Sequence, residues 1–355
     1  MKFYLLIFSM LFTGLAISVY SKDTSESACV EIPERDGESI QLDAAHQVFF
    51  TDPNSGVLKY FSNKQLQQMP YLGALSEIHS ADNYASVLLH SYNDNQIYSW
   101  TLIKLSDFSI TQITTTERPG IIKIFNDNKV IYNKFSDPTS WVLLDLNSQT
   151  EESFDNMPSI YGYESNIVVP YDPTLTKIAV QSPPGILNID TGLKLEIPKA
   201  VSIVGWSPQG NYVGGGFLTQ KGFDYIFFQT SDATPIWYPS TNPPLEDLIG
   251  EFEYVTWSPD ERYAVAKYTH AESFIYFYDF KTSEWLEKCY QVPSYISNLN
   301  WSHDLKYFWF LKLTTRFDET PWKYDLYVID TTTGEYGIVI KDVGDNSFIG
   351  WVGNE

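Results

Sequence analysis

Five histidines, two cysteines and a scatter of serines are the side chains of this chain that could do chemistry, and their spacing decides how much of it they do. Imidazoles hold a metal when two or more are brought together, most readably at a short fixed spacing on one element. His46, His79, His90, His270 and His303 show no such pairing, and the chain has no metalloprotease motif and no calcium loop of alternating acids around a glycine. Four of them, His46, His79, His270 and His303, fall at or near turns. They are the pool from which a site gathered from distant segments would draw; no metal or other cofactor is assigned. A nucleophilic serine needs a strained Gly-x-Ser-x-Gly elbow. Gly205-Trp206-Ser207-Pro208-Gln209 comes nearest, lacks the last glycine and coincides with a repeated turn, so Ser207 reads as structural and no catalytic residue is named. Cys29 and Cys289 can pair in an oxidising compartment, tying the start of the chain to its last third, but spacing alone does not show whether their backbones come close enough.

The elements that must position these groups are set by an internal repeat. Val204 to Val213, Val255 to Val265 and Leu299 to Phe308 share one pattern: a short strand ending at Trp206, Trp257 or Trp301, a Ser-Pro-Asp type turn, and a second strand opening at Tyr212, Tyr263 or Tyr307. Proline fixes φ at the first corner of such a turn, and Ser or Asp bonds the turn backbone. Weaker copies begin near Val169, Ile124, Ser80 and Leu42, which makes seven, and a partial copy, Phe348 to Trp351, ends the chain. A second signature alternates with the first: a strand, a hairpin turn and another strand, as at Leu326 to Glu335, Ile275 to Glu284, Ile186 to Gly192 and Val142 to Glu151. The repeat length is about 44 residues, that of a four-stranded blade. Only Asn63 to Met69 suggests a helical turn, or else a loop.

The expected fold is therefore all-β: a single β-propeller of four-stranded blades, about seven of them, with the ring closed by N- and C-terminal strands so that no sheet edge is left open. Residues 1–21 read as a signal peptide, from Lys2 and the apolar run Leu5 to Val19, with cleavage after Ser21. Residues 22–40 are an N-terminal segment and 41–355 the propeller. Lipid attachment at Cys29 is not expected, because Glu26 stands where such a signal wants an aliphatic residue. The product is expected to be secreted or periplasmic, monomeric and not inserted in a membrane.

The formal charge is −21, and loss of Lys2 with the signal takes it to −22. Phosphate backbones and anionic membranes need a basic surface, so nucleic acid is excluded as a partner class. Aromatic residues make up 16% of the chain. Most sit at equivalent repeat positions and read as core; Trp237, Tyr238 and Trp322 do not. Residues 231–250, with four prolines around Trp237 and Tyr238, lengthen their unit to about 51 residues, and loops on a rigid scaffold commonly carry recognition. Trp237 and Tyr238 are thus the candidate partner-binding residues.

The Trp-Ser-Pro-Asp turns at Trp206, Trp257 and Trp301 resemble those of TolB-type propellers and of the propeller domain of prolyl-oligopeptidase and dipeptidyl-peptidase relatives, over about residues 165–340. His303 replaces the proline, and Leu305 and Glu261 replace the glycine, which puts turn type in question. Such peptidases carry their nucleophile in a separate hydrolase domain, which is not expected here. The resemblance implies a non-enzymatic scaffold for a protein or peptide partner. Some oligogalacturonate lyases use such a propeller with a histidine-bound metal, so the alternative is a carbohydrate-active lyase or hydrolase acting at the channel.

Overall fold

Apolar side chains alternate with polar ones between turn residues along most of the chain, the pattern that makes a strand with a buried face. The computed structural model accordingly contains strands and no helix among its described residues, which are 29–33, 38–52, 58–62, 65–68, 78–80, 86–92, 98–115, 119–126, 129–154, 172–181, 183–197, 200, 202–219, 222–237, 251–269, 272–315, 322–344 and 349–352. The expected signal peptide lies outside them. No helix of the described residues is long and apolar enough to cross a membrane.

The strands form seven sheets, numbered here in chain order. In the first, the C-terminal strand Ile349–Val352 pairs antiparallel with Gln47–Thr51, Val48 opposite Trp351, and Leu58–Ser62 and Gln65–Gln68 follow outward. Gln65–Gln68 is thus a strand rather than a helical turn: pairing with Leu58–Ser62 overrides the helix propensity of its glutamines. The second sheet comprises Ile78–Ser80, Ser86–Tyr92, Tyr98–Lys104 and Ile110–Thr115; the third, Pro119–Asn126, Lys129–Lys134, Asp137–Asp145 and Thr150–Phe154. The fourth has three described strands, Lys177–Gln181, Pro184–Asn188 and Lys194–Glu196. The fifth comprises Ser202–Trp206, Tyr212–Thr219, Gly222–Gln229 and Pro235–Trp237, and the seventh Ile296–Trp301, Tyr307–Leu313, Lys323–Asp330 and Tyr336–Gly344. The sixth, Glu251–Trp257, Tyr263–Thr269, Ser273–Asp279 and Glu284–Val292, departs from four strands by gaining a fifth. Val30–Glu31 adds to its outer edge in parallel, Val30 opposite Tyr290.

Sheets meet face to face, and the strand Tyr307–Leu313 shows how. Every one of its seven residues is buried. Phe308 and Phe310 enter a core shared with Val265, Ile275 and Phe277 of the sixth sheet. Tyr307, Trp309, Leu311 and Leu313, on the opposite face, pack with Val48, Phe50 and Trp351 of the first. Period-two alternation becomes a continuous apolar run because both faces are covered. Shared clusters likewise join the second sheet to the third, the third to the fourth, the fourth to the fifth and the fifth to the sixth. Between the first and second sheets the Phe108 ring meets Phe49 and Tyr60 at 6.0 and 5.9 Å.

The repeated turn is held by its serine. Ser258 N–H donates to the Tyr263 carbonyl and Tyr263 N–H returns a bond to Ser258 Oγ, both at 2.8 Å; Ser207 with Tyr212 and Ser302 with Tyr307 do the same. Glu261 and Leu305 keep the left-handed backbone of Gly210, with φ of 57°, 65° and 74°. Turn type is therefore preserved without glycine, at a strain of about 1 kcal/mol per side chain.

Candidate functional site

His46 is buried by the fold, with a side chain fully removed from solvent. The turn Asp43 to His46 brings it to the start of strand Gln47–Thr51, against the repeated turn of the seventh sheet. His46 Nδ1 bonds Asp43 Oδ1, and Nε2 lies 2.8 Å from Asp304 Oδ2. Its ring meets Tyr307 edge-on at 4.7 Å and tilts on Trp351 at 6.0 Å. Lys306 Nζ closes the cluster on Asp43 Oδ2. Partial burial works to raise the Asp43 carboxyl, but hydrogen bonds from Lys306 and His46 outweigh it and hold it down at about 2. The same contact pushes the Lys306 ammonium up.

Both ring nitrogens of His46 are thus engaged by carboxylate oxygens, one of Asp43 and one of Asp304. The cluster joins residues 43–46 to residues 304–306, and its chemistry is that of a staple between sheets.

Other seams carry related staples at the same repeated turns. Glu261 is buried, and its carboxylate accepts from Gln209 N–H at 2.6 Å and Asn211 Nδ2 at 2.8 Å, crossing from the sixth sheet to the fifth. Asp172, fully buried, accepts from the backbone N–H groups of Thr176 and Lys177 at 2.9 and 2.7 Å. A Cβ on Gly210 would sit 2.7 Å from Asp172 Oδ2, so that turn requires glycine to let the fourth sheet approach. Asp279, though desolvation opposes it, is held below the usual carboxylate range by Arg262, whose Nη2 lies 2.9 Å away.

The rest of the histidine pool does not join His46. His303 is exposed, on the turn where the other two copies have Pro208 and Pro259. His79 stands opposite Leu88 in the second sheet's ladder, its side chain outside the described residues, as is the whole of His270. Among the described residues no three His, Cys, Asp or Glu side chains are grouped to hold a metal ion.

Trp237 requires a correction. The proline-rich composition places it on a projecting loop, but the structure makes it the last residue of the fifth sheet's outer strand, opposite Phe227 and 2% exposed. Its ring stacks on Tyr278 of the sixth sheet at 4.9 Å and on Phe227 at 5.4 Å. Pro235 opens that edge strand, where a missing N–H costs nothing. Trp237 is core and cannot contact a partner; Tyr238 and residues 239–250 lie outside the described residues.

Cys29 and Cys289 form a disulfide, with Cα atoms 4.7 Å apart across 260 residues of sequence. Beside it, burial pushes the Tyr276 hydroxyl up to about 12. Residues 29–33 and 38–40 then strap two sheets. Ile32 N–H donates to the Gln291 carbonyl at 2.8 Å, Tyr336 Oη to the Glu31 carbonyl at 3.0 Å and Ile338 N–H to the Glu38 carbonyl at 2.9 Å. Sequence reasoning missed Lys312 and Lys267, which are 1% and 3% exposed. Lys312 Nζ bonds the Pro33 carbonyl; Lys267 Nζ bonds the Ile296 carbonyl at 2.7 Å and lies 4.2 Å from the Tyr295 ring centroid. A lysine near the end of an otherwise apolar strand, as in Tyr307–Leu313, was the signal that could have found them: a buried ammonium must meet an acceptor or a ring face.

No family model matches the sequence, and no curated protein matches it. Solved structures do. The chain is similar to an oligogalacturonate lyase in complex with manganese, at 14% identity and a TM-score of 0.51, over 86% of this chain and 85% of that one. It is similar also to a candidate 6-phosphogluconolactonase from Bacteroides fragilis, at 12% identity and a TM-score of 0.51, over 89% and 100%. Both are β-propellers, and at these identities the likeness speaks for that fold alone.

Proposed function

We propose that this chain is an exported β-propeller of seven blades, its ring closed by the pairing of Ile349–Val352 with Gln47–Thr51, that serves as a non-enzymatic scaffold for a protein or peptide partner. The observation that carries the reading is the placement of the polar side chains at and beside the repeated turns, His46 and Ser207 among them. His46, Ser207, Ser258, Ser302 and Glu261 are each buried, and each is engaged in a turn or a seam between sheets. They belong to a rigid frame, and loops on rigid frames are where recognition resides. The charge of −21 favours a basic partner. With Trp237 in the core, the candidate contact narrows to Tyr238 and the stretch after it.

The test is capture on the chain from Lys22 onward, beside a Tyr238→Ala bait of equal melting temperature. Saturable, salt-sensitive retention of one protein or peptide by the first bait and its loss from the second supports the reading. Equal retention by both removes Tyr238, and no retention by either removes the scaffold.

The second reading is a carbohydrate-active lyase or hydrolase working at the propeller channel; the fold shared with a manganese-bound oligogalacturonate lyase is what favours it. A polyanionic sugar would be repelled by this acidic chain unless a cation intervened. Thermal stabilisation by manganese, increased further by oligogalacturonate only when manganese is present, would favour this reading over the scaffold.

A further inference from the structure

The strap is built for a seat. Val30–Glu31 extends the sixth sheet in parallel, and Ser39 bridges to Ile338 on the outer strand of the seventh. Ile32 is fully buried in the core that joins those two sheets. Gly337 permits the second contact: a Cβ there would lie 2.5 Å from the Glu38 carbonyl and 2.6 Å from Ile40 N. Buried Lys312 supplies a charged donor to Pro33, and Tyr336 bonds Glu31. What fastens the strap covalently is the Cys29–Cys289 bond at its first described residue.

These bonds divide unequally. The seven-residue core strand Tyr307–Leu313 and its neighbours keep their own ladders whether or not the strap is seated, because their antiparallel pairing does not involve residues 29–33 and 38–40. The strap contributes a short parallel addition, one fully buried apolar anchor in Ile32 and a partly buried one in Ile40, and short edge segments are the first to open. Its hold depends on the disulfide lowering the entropy of its free state.

We propose that residues 29–33 and 38–40 form a redox-releasable strap whose seat, the outer edges of Glu284–Val292 and Tyr336–Gly344 with the Ile32 pocket between them, is a strand-accepting surface when the strap leaves. The step is a two-electron exchange with a dithiol. One reductant thiolate attacks a sulfur of the Cys29–Cys289 bond, the second thiolate displaces the mixed disulfide, and the products are two cysteine thiols and an oxidised reductant. The released edge takes an extended peptide in parallel with an aliphatic residue at the Ile32 position, the chain's own segment being its resident occupant.

The experiment is amide hydrogen exchange on the full mature chain, oxidised and then reduced with dithiothreitol, with and without a synthetic peptide of residues 29–40 bearing Ser for Cys29. On reduction, exchange at Ile32, Ile40 and Ile338 should rise by about tenfold or more, while Phe310, Tyr327 and Leu143 keep their protection. The peptide should then restore protection at Ile338 in the reduced protein and leave the oxidised protein unaffected. Unchanged exchange at Ile32, Ile40 and Ile338 would overturn the proposal, since the strap would hold without its disulfide. A rise at all six amides would also overturn it, by showing that the disulfide holds the fold and not the strap. An Ile32→Ala chain that is oxidised and folded provides the check on the pocket: its reduced form should fail to regain Ile338 protection with an Ala-substituted peptide, and regain it with the natural one.

Discussion

The seam between the sixth and seventh sheets and the seam between the third and fourth are built from the same repeat, yet among the described residues only the first of them takes in a segment from outside the repeat, the strap with its Ile32. The sixth and seventh sheets share fourteen buried hydrophobic residues with the strap's Ile32 among them, and the seventh and first share twelve. The third and fourth share four among the described residues: Ile131, Trp141, Leu143 and Ile178. The first two also carry the strap, two buried lysines and the His46 cluster, whereas the disulfide packs with the cluster between the fifth and sixth sheets. The strand Ile349–Val352 belongs to the first sheet and follows the seventh in the chain, so the two ends of the chain meet inside the first sheet, where strand pairing with Gln47–Thr51 and side-chain contacts join what no peptide bond does. The His46 cluster lies beside that meeting point, and other staples, such as Glu261, hold seams elsewhere.

Substitutions can sharpen or break that contrast. Trp309 is fully buried between the seventh and first sheets, so Trp309→Ala should cost about 3–5 kcal/mol in denaturant unfolding. Leu143→Ala, at a less fully covered position of the seam between the third and fourth sheets, should cost about 2 kcal/mol, at the low end for such truncations. Equal losses would deny that the two joints differ. Next in size, a Cys29→Ser, Cys289→Ser chain should lose about 2 kcal/mol of local protection at the strap amide Ile32 and at Ile338 beneath the strap, relative to the oxidised parent, with the loss vanishing when both are compared under dithiothreitol. His46→Ala should follow at about 1–3 kcal/mol, because Asp43 and Asp304 lose their shared donor; His46→Gln, which restores at most part of the pairing, should lie between it and the parent.

The smallest effect is in acid. The folded Asp43 carboxyl is held at about 2, below its ordinary value of 3.8. A depressed carboxyl contributes stability that is present above the unfolded value and is lost as pH falls through the folded one. The parent should therefore lose stability between about pH 4 and pH 2 more steeply than Asp43→Asn, and the two should run parallel above pH 5. Parallel curves below pH 4 as well would remove Asp43 from the staple.

What was legible in the sequence was whatever repeats. The Trp-Ser-Pro-Asp turns announce themselves at Trp206, Trp257 and Trp301 because each copy needs the same serine bonds, and the copies set out the β-propeller fold. Contacts made once carry no such signature. His46 and Asp304 are 258 residues apart, so spacing could rank His46 only as a candidate ligand. The strap depends on Gly337 and on free outer edges, which no local pattern reports. Trp237 misled for a related reason: four prolines mark a surface excursion, but the first of them, Pro235, opens an edge strand whose last residue faces the sixth sheet. The strand Gln65–Gln68 shows the same limit, since partners rather than propensity decided it.

The account rests on the strand Ile349–Val352 joining the end of the chain to its beginning through Gln47–Thr51. The most direct test compares thermal unfolding of the mature chain with a chain that stops at Gly344, which keeps the whole seventh sheet and removes only that strand. The account predicts that the shorter chain melts lower by about 10 °C or more, with Trp309 fluorescence and far-ultraviolet signal lost together. If the two chains melt at the same temperature, the terminal strand does not close the structure and the contrast between the joints has another origin.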